Sequence, residues 1–252
     1  NGQAISINAG SGFDRVHAGM AYASLPGGVG GSGSFRYTGS VSDQQLYSGV
    51  EQIRFTDGIY DTATNTLITL TVGITNTTTG SSSTQALTPY SGPVTYLEDE
   101  FIYAGTDNIN VTARTANVFL KSQSGTDALQ ATSGHNVLDG GTGSNFLVGG
   151  NGGDTFFVDG RAGLDTWSTI VGAGAGDDVT LWGWLDGVTR YSWAALEGAV
   201  GYQGLTLHAD LHGTGHISAS MTFSGLSLAD QGRLHMTTGT VEGNSYLHIQ
   251  VT

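Results

Sequence analysis

Residues 125–160 read GTDALQATSGHNVLDGGTGSNFLVGGNGGDTFFVDG. One short unit recurs in this stretch: a glycine, a spacer, Asp or Asn, and an apolar residue two places on. Gly125-Thr126-Asp127-Ala128-Leu129 is followed by Gly134-His135-Asn136-Val137-Leu138, then Gly143-Ser144-Asn145-Phe146-Leu147, then Gly152-Gly153-Asp154-Thr155-Phe156, each nine residues after the last. A short fixed period marks a coiled stack of strands, because one coil cannot bury its apolar face until another lies on it. The step is the length of one strand plus one turn. Glycine suits the left-handed corner, and the apolar residue points inward because side chains alternate along a strand.

The step extends in both directions with slippage. Asn117-Val118-Phe119 lies ten residues before the Asp127 unit, Asp107-Asn108-Ile109 ten before that, and Asp165-Thr166-Trp167 eleven after Asp154. This frame predicts Ile109, Phe119, Leu129, Leu138, Leu147, Phe156 and Trp167 as the inward-pointing positions. The fold class read from it is all-β: a parallel β-roll or β-helix solenoid with flanking antiparallel β segments. Four segments are expected: an N-terminal β segment over 1–75, a Thr/Ser-rich linker or long loop over 76–93, the repeat roll over 94–170, and a β tail or cap over 171–252.

Composition agrees. The 41 glycines are about 16% of the 252 residues, against roughly 7% in ordinary proteins. Only 12% of residues are charged, and strand-forming Thr, Val, Ile and Tyr dominate over helix formers. A net charge of −13 disfavours nucleic acid as a partner, since that needs clustered Lys and Arg. Zero cysteines exclude a disulfide framework and thiol chemistry. No apolar run reaches the roughly 18 residues of a membrane-spanning helix. The opening NGQAISINAGSG has neither a basic nor an apolar signal region and no initiator Met, as expected of a processed chain or a fragment.

The residues resemble the RTX, or haemolysin-type calcium-binding, nonapeptide family, whose pattern is G-G-x-G-x-D-x-(apolar)-x. Gly149-Gly150-Asn151-Gly152-Gly153-Asp154-Thr155-Phe156-Phe157 matches in full, and Gly140-Gly141-Thr142-Gly143-Ser144-Asn145-Phe146-Leu147-Val148 matches with Asn for Asp. Gly10-Ser11-Gly12-Phe13-Asp14-Arg15-Val16 resembles one more turn. The stretch FRYTGSVSDQQLYSGVEQIRFTDGIYD is similar to segments that flank repeats in large secreted RTX proteins. The tail beyond 170 is similar to C-terminal regions of such proteins in proteobacteria. The resemblance covers roughly 1–62 and 104–168. It implies a parallel β-roll holding Ca²⁺ between turns, export without a cleaved N-terminal signal, folding outside the cell or at its surface, and roles in adhesins, surface layers, toxins or exoenzymes.

The resemblance carries over Asp127, Asn136, Asn145, Asp154, Asp159 and Asp165 as candidate Ca²⁺ ligands, in number unknown. In a roll with two repeats per coil, Asp127 stacks on Asn145 and Asn136 on Asp154, eighteen residues apart. Each pair then holds one carboxylate where the family has two. An Asn amide donates and accepts, so it can form a neutral ladder that needs no ion, whereas stacked carboxylates require a cation. Metal is therefore expected where acids gather, at Asp154, Asp159 and Asp165, with Asp177-Asp178 as a further candidate.

Other chemistry is weaker. Thr206, His208, Asp210 and His212 alternate with Leu205, Leu207 and Leu211, so they share one strand face. That face could hold a transition metal, but a solvent-facing strand explains it better. Trp182 and Trp184 are two apart and could form a sugar-stacking platform; core or interface packing is the blander reading. Glu98-Asp99-Glu100 reads as a solvated edge or solenoid cap. No G-x-S-x-G elbow and no paired carboxylates point to a hydrolase. The expectation is a non-catalytic, extracellular or cell-surface, calcium-binding structural or adhesive protein. Its expected partner is itself, as homo-oligomer or filament, with surface polysaccharide as a second. The competing readings are a sugar- or surface-binding module and the export and folding module of a larger secreted enzyme.

Overall fold

The computed structural model describes residues 70–252 throughout, and within residues 1–69 it describes strands 5–8, 15–17, 34–36, 45–48, 52–55, 58–61 and 66–68. The chain divides into two compact units, 1–70 and 71–252. In the first, β1 (Ile5–Asn8), β2 (Arg15–His17), β3 (Ser34–Arg36), β4 (Gln45–Ser48), β5 (Gln52–Phe55), β6 (Gly58–Asp61) and β7 (Thr66–Ile68) form two small sheets, β1-β4-β3 and β2-β5-β6-β7. β5 and β6 pair antiparallel, with Phe55 opposite Gly58, and Ile53, Phe55 and Tyr60 are buried. Gly10 to Asp14, the leading part of the extra turn expected near the start, lie outside the described residues.

The second unit is a two-sheet roll. Its rungs alternate between sheets along the chain. β12 (Ile109–Ala113), β14 (Ala128–Gln130), β16 (Phe146–Val148) and β18 (Thr166–Val171) build one sheet, here the even sheet. β11 (Asp99–Ile102), β13 (Val118–Lys121), β15 (Val137–Thr142), β17 (Thr155–Asp159) and β19 (Asp178–Trp182) build the odd sheet. All neighbouring rungs pair in parallel, giving a solenoid of about four coils. Residues in register stack across the coils. Val111, Leu129, Leu147 and Ile170 form the inward column of the even sheet. Phe101, Leu120, Leu138, Phe156 and Val179 form that of the odd sheet. All nine are buried.

Leu129, Leu138, Leu147 and Phe156 thus stand where the period places them. The frame outside them slipped. Leu120, not Phe119, is the inward residue of β13, and a one-residue slip turns a side chain to the opposite face. Ile109 is buried, but Val111 occupies the apolar column. Trp167 is 42% exposed, and Ile170 takes the inward place, because the last coil is longer: Phe146 pairs with Thr169.

Two further boundaries differ from expectation. Residues 76–93 are not a linker: β8 (Thr71–Asn76) and β9 (Ser82–Ala86) form a hairpin antiparallel to β12, and β10 (Thr88–Pro89) pairs with β11. The roll also continues past residue 170 through β19. β20 (Arg190–Glu197), β21 (Gly204–Asp210) and β22 (Ala219–Ser224) extend the even sheet, with β22 parallel to β18. β23 (Leu234–Val241) and β24 (Asn244–Val251) close the odd sheet antiparallel to β19. Each sheet of the roll therefore ends in antiparallel strands on both sides.

Corner glycines set how closely the coils approach. At Gly152 φ is +141°, and an added Cβ would collide with the Gly134 carbonyl of the coil beside it. Gly187 also has positive φ, +73°, but opens onto free space. Gly187→Ala is expected to cost about 1 kcal/mol, a shift of roughly 2–4 °C. Gly152→Ala should cost several times more, because strain adds to the collision; equal melting temperatures for the two variants would contradict this packing.

Candidate functional site

The Asp and Asn of each repeat lie just before a rung, where the corner enters the strand. Their backbone N–H groups point along the stack, and the side chain of the next coil receives them. In the even column Ile109 N–H donates to Asp127 Oδ1 (2.9 Å), Asp127 N–H to Asn145 Oδ1 (3.1 Å), and Asn145 N–H to Ser168 Oγ (3.1 Å). In the odd column Val118 N–H donates to Asn136 Oδ1 (3.1 Å), Asn136 N–H to Asp154 Oδ1 (2.8 Å), and Asp154 N–H to Asp177 Oδ1 (2.7 Å). Partners are eighteen residues apart, or twenty-three at the lengthened coil. All six accepting side chains are buried, so a missing partner would leave a corner N–H desolvated.

One oxygen per residue serves the ladder; the second group differs between Asp and Asn. Asn136 Nδ2 sits among four oxygens, those of Ser133 (3.1 Å), Gly134 (3.3 Å), Gly149 (3.1 Å) and Asp154 Oδ1 (2.8 Å). It is a proton donor in a cage of acceptors, the electrostatic place a cation would take. At the equivalent position one repeat earlier stands Asp127 Oδ2, buried and without a hydrogen-bond partner. The neighbouring Ser122 hydroxyl, which eases that burial in part, donates to the Gly140 carbonyl (2.9 Å). Burial raises the Asp127 pKa above the ordinary carboxylate range. Asp154 rises to about 6 through burial, against the opposing N–H bonds from Asn136, with a further push from the Asp177 charge. Asp177 is also raised by burial, although it accepts the Asp154 and Gly174 N–H groups.

Residues 123–156 match the RTX calcium-binding nonapeptide repeat, in four copies. No curated protein matches the chain. Repeats of that family bind Ca²⁺, a hard cation that takes six to eight oxygens. The chain's own residues fit it unevenly. Asp127 fits, because its buried Oδ2 lacks any donor. Asp154 and Asp177 fit, as two carboxylates in consecutive places of one column, each already destabilised in its charged form. Asn136 does not, because its amide fills the cage, and Asn145 likewise directs its amide at the Gly141 carbonyl (3.4 Å). Bound there, Ca²⁺ would supply counter-charge to these corners. Among the described residues no three His, Cys, Asp or Glu side chains gather as one ligand group, so a bound ion would draw the rest of its oxygens from backbone carbonyls.

The remaining candidates are placed apart from the ladder. Asp159 holds Arg161 through two contacts (2.9 and 2.6 Å), which lower its pKa against the effect of burial, and Asp165 meets His216 at the surface (2.8 Å). Neither joins Asp154. Asp177 does, through a register that the longer coil hid. His208, Asp210 and His212 do not converge either. Strand β21 lies inside the even sheet, not against solvent, and Asp210 caps the following turn through Thr214 and Gly215 N–H. His208 bridges Ser220 Oγ (2.8 Å) and Glu197 Oε2 (2.6 Å), a triad-like set in which the serine is buried. Trp182 and Trp184 part company: Trp184 is buried and meets Tyr191, while Trp182 faces Phe157 and Tyr246. In the Glu98-Asp99-Glu100 run Asp99 is buried and opens the first odd rung, instead of lying on a solvated edge.

Exchanging the two kinds of corner tests this reading. Asn136→Asp places a carboxylate against three carbonyls and Asp154, so in chelator it should lose on the order of 3 kcal/mol and regain most of it with Ca²⁺. An unchanged melt in chelator would refute the cage. Acid linkage gives a second check. Carboxylates with raised folded pKa bind protons more tightly when folded, so metal-free stability should rise as pH falls from about 6 towards 4. Below that, Asp159, with its lowered pKa, loses its contribution. The rise between pH 7 and 5 should shrink in Asp154→Asn, measured by melts in chelator.

Proposed function

We propose that the protein is a non-catalytic, calcium-stabilised scaffold that works outside the cell or on its surface in a structural or adhesive role. The observation that carries this is the run of buried corner carboxylates, Asp127, Asp154 and Asp177, whose burial disfavours the charged form of each. Such a roll is weak where free calcium is scarce and firm where it reaches about 10⁻⁴–10⁻³ M, the range of extracellular calcium modules. The Ser220–His208–Glu197 set does not favour an enzyme, because the nucleophile position is closed.

Self-association is part of the proposal, and the capped ends narrow its route. Antiparallel strands close both ends of the roll, so coil cannot add to coil. The edges left are β9 and β20 on the even sheet and β10 and β23 on the odd sheet. Of these β9, Ser82–Ala86, is exposed along its whole length and carries no charge to deter pairing.

A melt in CaCl₂ against chelator, followed by sizing of the same samples, tests both parts. One site at a hundredfold excess over its dissociation constant adds about 2.7 kcal/mol, a rise of roughly 5–10 °C. No rise would remove the calcium-stabilised scaffold. A rise with monomers in both buffers would keep the scaffold and remove self-assembly.

A further inference from the structure

The outer face of the odd sheet, opposite the apolar column, is not a plain solvated surface. Two rows in register run across it. One reads Lys121, Asp139, Phe157, Thr180 and His248, and the other Asp159, Trp182 and Tyr246. Two cavities open on this face. The first, about 500 Å³, is lined among others by Lys121, Asp139, Asp159, Arg161, Trp182 and Asn244. The second, about 510 Å³, is lined by Phe157, Thr180, Trp182, Val241, Tyr246 and His248. They share Phe157, Trp182 and Val241, so they form one groove with an aromatic centre. Each is of a size that holds a small ligand.

We infer that this groove binds a neutral polysaccharide built of pyranose rings. The Phe157 and Trp182 rings are nearly parallel, 13° apart with centroids at 6.3 Å, and Tyr246 stands edge-on to Trp182 at 5.4 Å. All three are half-buried and face the groove. Flat apolar surface of this kind matches the axial C–H face of a sugar ring. The rim supplies fixed polar groups. Arg161 is held by Asp159 and by Asn244 Oδ1 (2.7 Å) and lies 5.2 Å over the Trp182 ring. Lys121 is held by Asp139 at 2.6 Å. Planar, preoriented donors and acceptors beside an aromatic wall suit ring hydroxyls.

Charge selects among ligands. Both cations of the groove are already paired with carboxylates, Glu242 adds another acid, and the whole chain carries −13. Uronates, sulfated glycans and nucleic acid are therefore repelled, not recruited. A peptide strand finds no free backbone groups here, because this is the middle of a sheet whose main chain is committed to its ladder. The site is independent of the calcium corners and goes beyond the scaffold role.

The test is titration calorimetry on Ca²⁺-loaded full-length protein with neutral hexasaccharides of glucose, mannose, galactose and N-acetylglucosamine, and with polygalacturonate and heparin as anionic probes. At least one neutral hexasaccharide should bind, and Trp182→Ala and Arg161→Ala should each weaken it about tenfold or more. Tyr191→Ala, outside the groove, should leave binding unchanged. Melts confirm that each variant is folded; if Trp182→Ala does not fold, Arg161→Ala and Asn244→Ala decide. Binding of anionic probes alone, of no probe, or with equal affinity in folded groove variants would overturn the proposal. So would sizing that shows the variants break a dimer through this face.

Discussion

Each corner of the roll hands one backbone N–H to a side-chain oxygen of the next coil, two to a coil. That bond explains why an oxygen-bearing residue recurs at the corner and why its partner lies eighteen residues on. A corner N–H buried between coils has no water to turn to, and leaving it unpaired costs about 1–3 kcal/mol. The requirement repeats at every coil, so it acts as a register gauge. Where the chain lengthens after Gly160, Ser168 and Asp177 still land on the gauge, and the five extra residues are expelled to the surface around Leu164, which is exposed.

The choice between Asp and Asn at the corner leaves that bond intact and changes everything beside it. Asn136 brings a donor into a ring of oxygens and neutralises it. Asp127 brings another oxygen. The same backbone thus alternates between a corner that is complete by itself and one that wants positive charge. A roll built wholly of the second kind would gather unbalanced charge at every corner; this one carries amide corners between its acidic ones. The acidic end of the odd column, Asp154 over Asp177, lies next to β24, whose pairing with β19 closes the sheet.

Closure gives the outer faces their character. A stack of parallel rungs would expose open edges to any passing strand. Antiparallel strands at both ends bury those edges and bring in residues from elsewhere in the chain. Tyr246, His248 and Asn244 come from β24, Val241 from the end of β23, and Glu242 from the turn between them. They join Phe157 and Trp182 of the roll on one face. On the even sheet the same kind of addition brings Glu197 and His208 beside Trp167, whose indole ring meets the imidazole at 5.5 Å.

Asp127, Asn136, Asn145 and Asp154 were legible from the bare sequence, together with Leu129, Leu138, Leu147 and Phe156, because a stack of equal coils forces equal spacing on residues with equal jobs. Carried backward at its strict step the period reaches Leu120 and Val111, eighteen residues before Leu138 and Leu129; following Asn117 and Asp107 instead puts Phe119 and Ile109 in their places. The last coil is longer, which misplaces Trp167 and hides the link of Asp177 to Asp154. The period does not say which second groups flank a carboxylate. Asp159 and Asp165 look like further ligands in one dimension; in three, Arg161 and His216 claim them. The sequence by itself determined the repeat, the inward places of Leu129, Leu138, Leu147 and Phe156, and which corners carry acid and which amide, since these follow from local alternation and a constant step. Tertiary structure alone decided the caps, the orphaned oxygen of Asp127 and the aromatic groove, since each depends on residues brought together from distant parts of the chain.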